Sequence, residues 1–117
     1  RDVSIDDGRV VVTITPTYSG CPAMDAIREA IVGSLPECEV AVRTVHSPAW
    51  TTDWMSAEGR RKLEEYGIAA PSPAHEARCP RCRAAGARTV SFFGSTACKA
   101  MLVCSSCGEP FDLFKEL

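Results

Sequence analysis

The sequence predicts an α+β chain: a small β-β-α-β two-layer domain followed by a C-terminal four-cysteine zinc ribbon. Three observations carry this expectation. Two β-rich runs are joined by Asp7-Gly8, the apolar period lengthens to three- and four-residue steps between Met24 and Leu35, and Cys79-Pro-Arg-Cys82 and Cys104-Ser-Ser-Cys107 enclose 21 residues. Alternation marks strands, steps of three and four mark one face of a helix, and paired Cys-x-x-Cys knuckles mark a metal site.

The elements follow in order. "VSIDDGRVVVTIT" reads as strands at 2–6 and 9–15, because Asp-Gly supplies the two positive-φ positions of a tight hairpin. Pro16 cannot donate to a ladder, so 16–20 is expected as a loop. Met24, Ile27, Ile31 and Leu35 then form the apolar stripe of a helix of about 12 residues. Pro22 suits its first position, Cys21 its cap, and Gly33 and Pro36 its end. "EVAVRTV", 39–45, is the third strand, and the helix covers one face of the sheet. Beyond "SPAWTTDWM" a second helix is expected in "SAEGRRKLEEYGI". Asp53 or Ser56 would cap it, Gly67 would take the left-handed C′ position, and Ile68 would fold back on Leu63. "AAPSPAHEAR" has the composition of a linker. The expected organisation is thus a first domain at 1–68, a linker at 69–78 and a ribbon module at 79–117.

Composition narrows the function classes. The chain has 117 residues, 45% of them hydrophobic, without an apolar run of the roughly 20 residues a membrane span needs. No signal-peptide pattern is present, and a segment preceding Arg1 is expected. Residues 1–78 carry eight basic and twelve acidic side chains, residues 79–117 five and three. Neither half has the basic footprint of a nucleic-acid binder, and neither nucleic acid nor membrane is an expected partner. Seven cysteines, four of them in two Cys-x-x-Cys pairs, point to metal in a reducing cytoplasm more than to a secreted disulfide framework.

Each knuckle can aim two sulfurs at one ion, so Cys79, Cys82, Cys104 and Cys107 are the expected ligands of one tetrahedral zinc per chain. Iron in a rubredoxin-like site would use the same four thiolates, and disulfide pairing is the remaining alternative. Four protein sulfurs leave no open position, which makes the ion structural. A module of about 39 residues buries too little apolar surface alone, so the ion would supply much of its folding free energy. Phe92, Phe93, Phe111 and Phe114 are expected to pack the ribbon against the first domain rather than to stack on bases.

The single cysteines are less determined. Cys21 at a helix start is either a buried filler or a thiolate favoured by the helix dipole and free N–H groups. No neighbouring His or second cysteine completes a hydrolase or dithiol arrangement, so no catalytic residue is expected. Cys98 reads locally as a small buried residue on a ribbon strand, and Cys38 as structural. His46 and His75 are isolated; Asp53 and Glu58 suit capping or solvated roles.

"TPTYSGCPAMDAI", "VRTVHSPAWTTDWMS", "GRRKLEEYGIAAP", "FGSTACKA", "EPFDLFK" and the two knuckles together resemble the PaaD family, D subunits of the bacterial phenylacetyl-CoA epoxidase (phenylacetate-CoA oxygenase) system, along the whole chain. The first domain is similar to the SufT-like iron–sulfur assembly family. The resemblance implies a cytoplasmic accessory factor of phenylacetate catabolism that is not itself catalytic. It would assist iron–sulfur cluster or di-iron assembly in the reductase or oxygenase of that system. The resemblance also makes Cys21 the functional cysteine of its Cys-Pro loop and gives Cys98 more than a packing role. These two are the candidate ligands of a transient iron–sulfur cluster, Cys21 acting alone, with Cys98, or with Cys21 of a second subunit in a homodimer. A structural scaffold without thiol or cluster chemistry, binding the oxygenase through the ribbon and the Trp50/Trp54 loop, is the alternative. The family's N-terminal segment, with an acidic-proline motif before the first strand, is missing from the sequence.

Overall fold

The structure, a computed structural model, describes residues 1–117 and forms two compact units, Arg1–Trp50 and Thr51–Leu117. The class is α+β, with two sheets and two helices.

In the first unit, β1 (Asp2–Asp6) and β2 (Arg9–Ile14) form the expected hairpin. Asp7 (φ 49°) and Gly8 (φ 78°) occupy its two left-handed turn positions. After helix α1 (Met24–Gly33), β3 (Val40–Thr44) returns parallel to β2, giving the order β1-β2-β3. In this register Val10, Val12 and Ile14 share a face with Val40, Val42 and Thr44. Arg28 of α1 donates to Thr44 Oγ1 at 3.0 Å, which places α1 on that face. Cover is incomplete: Val3 and Ile5 of β1 are exposed, no residue of α1 is buried, and Val11 and Pro16 are the buried apolar side chains of the unit.

Helix α1 starts two residues later than its sequence suggests. Ala23 is its cap and offers no side-chain acceptor, and Ile27 N–H is the first to reach back, to Ala23 O at 2.9 Å. Pro22 lies in the preceding turn, so Cys21 is not the cap. Its carbonyl instead accepts the Met24 N–H at 3.4 Å.

The second unit opens with a 3-10 turn (Thr52–Trp54) and helix α2 (Ala57–Glu65). Ser56 caps α2, its hydroxyl accepting Gly59 N–H at 3.0 Å, whereas Asp53 belongs to the 3-10 turn. Gly67 takes the positive φ (86°) that ends α2. The chain continues as β4 (Ile68–Ala69), β5 (Ala87–Ser91), β6 (Lys99–Cys104) and β7 (Pro110–Phe114) in the order β4-β7-β6-β5. Alternation along β6 and β7 buries Ala100, Leu102 and Cys104 with Phe111 and Leu113, the core of this unit.

This grouping differs from the boundaries expected at 68 and 79. Ile68 pairs with Asp112 of β7 rather than serving only as a closing contact of the helix. Ala69 and Ala77 are buried in the ribbon core, so 69–78 is a small-residue strap whose prolines shape turns, not a spacer. Arg60 of α2 donates to the carbonyls of Thr52 (3.2 Å) and Pro71 (3.4 Å), tying helix, turn and strap together. The phenylalanines also divide. Phe111 is core, but Phe92 and Phe93 are 67% and 64% exposed, edge to face, with Lys115 Nζ 4.4 and 4.7 Å from their ring centres. They lie on an irregular segment after β5, where no alternation forces them inward.

Candidate metal centre

Both cysteine knuckles are built alike. In the first, Cys79 N–H donates to Ala84 O at 3.0 Å and Arg83 N–H to Cys79 O at 2.9 Å. In the second, Cys104 N–H donates to Glu109 O at 2.9 Å and Gly108 N–H to Cys104 O at 3.0 Å. The residue after each second cysteine has positive φ, Arg83 at 63° and Gly108 at 75°. Each backbone thus turns back on itself and points its two sulfurs the same way.

Pairing of β5 with β6 sets Ala87 opposite Cys104, and Ser105 N–H reaches Gly86 O at 3.1 Å, so the knuckles meet. The four Sγ atoms lie within 4.8 Å of one another. Cys79 Sγ is 3.7 Å from Cys107 Sγ, and Cys82 Sγ 3.6 Å from Cys104 Sγ. A tetrahedral ion with Zn–S bonds of about 2.3 Å separates its sulfurs by about 3.8 Å. A disulfide would bring two sulfurs to about 2.05 Å. The sulfur set therefore fits a closed tetrahedral ion, and all seven cysteines are free of disulfides.

The thiols of the second knuckle are driven apart. Cys104 is lowered from 9.0 to about 6, first by the N–H of Cys107, then by that of Ser106. For Cys107 the N–H of Glu109 favours the thiolate, but partial desolvation of its sulfur and the sulfurs of Cys82, Cys104 and Cys79 outweigh it and push the thiol up to about 12. Crowded sulfurs cannot all ionise together; a divalent cation at their centre removes that conflict.

Two residues that sequence reasoning passed over belong to this centre. Arg81, inside the first knuckle, places Nη1 2.8 Å from Glu109 Oε2, just beyond the second. Opposite charges beside the two Cys-x-x-Cys motifs were the available signal, but only the meeting of the knuckles makes them neighbours.

The other candidates lie elsewhere. Cys21 sits in the first unit, partly exposed, its N–H donating to Tyr18 O at 3.2 Å. Cys98 sits in the second unit, in the loop before β6 rather than on a strand. It is partly exposed, with Sγ 3.0 Å from Thr96 Oγ1 and its carbonyl accepting Lys115 N–H at 3.0 Å. Cys38 is exposed in a turn after α1. His75 is exposed beside Glu76, and Glu58 pairs with Arg61 (2.8 Å) and Lys62 (3.4 Å) on the surface of α2. No helix is long and apolar enough to cross a membrane.

Comparison with known proteins matches both units. Residues 65–115 fit the family model described as the PaaD zinc beta ribbon domain, and residues 1–46 that of an iron-sulfur cluster assembly protein. A protein of Escherichia coli (strain K12), provisionally named as the D subunit of 1,2-phenylacetyl-CoA epoxidase, is 51% identical over 90% of this chain and 70% of its own length. A crystal structure of a domain of unknown function, DUF59, from Bacillus anthracis aligns with a TM-score of 0.45 at 29% identity, covering 54% of this chain and 65% of that one.

Proposed function

The chain belongs to the family of D subunits of 1,2-phenylacetyl-CoA epoxidase, and on that premise we propose that it is an accessory maturation factor of the epoxidase system rather than a catalytic subunit. Its cargo is an iron–sulfur cluster, or iron for a di-iron centre, delivered to the reductase or oxygenase subunits in the cytoplasm. The observation that carries this reading is the assembly-type first unit, matched over residues 1–46, with a partly exposed Cys21 in the loop before α1.

The two kinds of sulfur in the chain suit this division of labour. Cys79, Cys82, Cys104 and Cys107 would hold one zinc with every position filled, which suits a structural ion. Transfer needs the opposite, an under-coordinated thiolate from which the cargo can pass to a client. Cys21 offers one sulfur, and a second would come from Cys98 or from Cys21 of a second subunit.

Replacement of Cys21 by Ser tests the reading. The client's iron content and the epoxidase activity of cells should fall at least tenfold, while zinc per chain stays at one. Unchanged client iron would end the maturation role. A scaffold without thiol chemistry has one observation in its favour, the exposed Phe92–Phe93 pair, an apolar patch suited to a protein partner. In that case Phe92→Ala with Phe93→Ala would abolish association with the other subunits, and Cys21→Ser would leave it intact.

A further inference from the structure

The two knuckles do not shield their sulfurs equally. Cys79 and Cys104, the first of each pair, are buried, while Cys82 and Cys107, the second of each, are exposed. The open side of the centre therefore runs between Cys82 and Cys107, one sulfur from each knuckle. Parting of the knuckles would open that side further to an ion. Each knuckle is closed by hydrogen bonds within itself, and the β5–β6 pairing that sets Ala87 opposite Cys104 joins the two at one end. Beside that pairing, the Ser105 N–H bond to Gly86 O and the Arg81–Glu109 ion pair also link them, the ion pair being the side-chain link.

We propose that Arg81 and Glu109 form a latch across the two knuckles that slows departure of the ion past Cys82 and Cys107. Arg81 spans from inside the first knuckle to the residue two beyond Cys107, at 2.8 Å. Its guanidinium also lies in the field of sulfurs from both knuckles, Cys107 and Cys79. Four thiolates around a dication leave a net double negative charge, and an adjacent cation offsets part of it. Glu109 keeps that cation in place. Arg81 and Glu109 are positioning residues, neither touching the ion. The latch rests on the reading that the four sulfurs hold a metal, and its test separates the two.

Full-length chain, loaded with one equivalent of zinc, is mixed with excess chromogenic chelator, and zinc content and release rate are measured for wild type, Arg81→Ala, Glu109→Gln, the double variant and the swap Arg81→Glu/Glu109→Arg. Exposed ion pairs contribute modestly, so each single variant should bind one zinc and release it about two- to fivefold faster at low salt. The double variant should match the singles, because both remove one interaction, and the swap should recover much of the loss. In 1 M salt the Debye length shrinks to about 3 Å, and the difference from wild type should narrow. Equal release rates in wild type and Glu109→Gln, or fully additive single effects, would overturn the latch while leaving the metal site standing. Failure of wild type to retain zinc would overturn the metal reading itself. If Arg81→Ala alone accelerated release, Arg81 would act on the sulfurs without Glu109, and the latch would again be wrong.

Discussion

Cys104 and Cys107 share one knuckle, yet their thiols are driven in opposite directions. A thiol lowered from 9.0 to about 6, as at Cys104, contributes stability that is fully present above about pH 9 and is lost as pH falls through about 6. A thiol raised to about 12, as at Cys107, contributes stability that is fully present below about pH 9 and is lost as pH rises through about 12. In ion-free chain, the Cβ resonance of Cys104 is expected to titrate near pH 6, and a midpoint near 9 would show that the N–H groups of Cys107 and Ser106 do not hold its thiolate. The four clustered cysteines themselves were legible from Cys-x-x-Cys spacing. Arg83 at φ 63° was not, because Gly108 marks the equivalent turn of the other knuckle openly and an arginine gives no such signal.

At the scale of elements, the two helices differ in how they begin. Ser56 accepts Gly59 N–H, and this bond fixes the first turn of α2. Ser56→Ala should cost about 1 kcal/mol in the denaturation of the second unit, and Ser56→Asp should retain most of it; equal stability in all three would mean that Arg60 and the strap hold the helix without the cap. Helix α1 has no such cap, and Pro22 in the sequence suggested a start that the turn at Cys21 delays. The distance matters for chemistry, since helix-dipole support fades beyond the first turn. Cys21 therefore owes its candidacy to exposure and family membership more than to the helix.

Over the whole molecule, apolar burial is uneven. The second unit gathers Leu102, Phe111, Leu113 and small residues into one core around the buried Cys79 and Cys104, whereas the first buries only Val11 and Pro16 among its apolar residues. Two of the core's members, Cys79 and Cys104, belong to the four-sulfur set, so an ion held there and the core would stabilise each other. Stripping the ion should accelerate amide hydrogen exchange in β5, β6 and β7 by more than about a hundredfold and leave β1, β2 and β3 unchanged. Persistent protection of β6 in protein shown to contain no metal would mean that the apolar core suffices. In the native protein the first unit should exchange faster than β6 and β7, because fewer apolar contacts resist its opening.

What the sequence determined by itself was local or periodic: the Asp7-Gly8 hairpin, the strand and helix periods, the Ser56 and Gly67 helix ends, and the four knuckle cysteines with their spacing. Each depends on residues a few positions apart, whose steric and hydrogen-bonding preferences act without the rest of the chain. Tertiary structure alone decided the membership of 69–78 in the ribbon core, the exposure of Phe92 and Phe93, and the meeting of Arg81 with Glu109. Composition cannot separate a spacer from a strap when both are made of alanine and proline. Only the pairing of β4 with β7 and of β5 with β6 buries Ala69 and Ala77 and brings residues 28 positions apart to 2.8 Å.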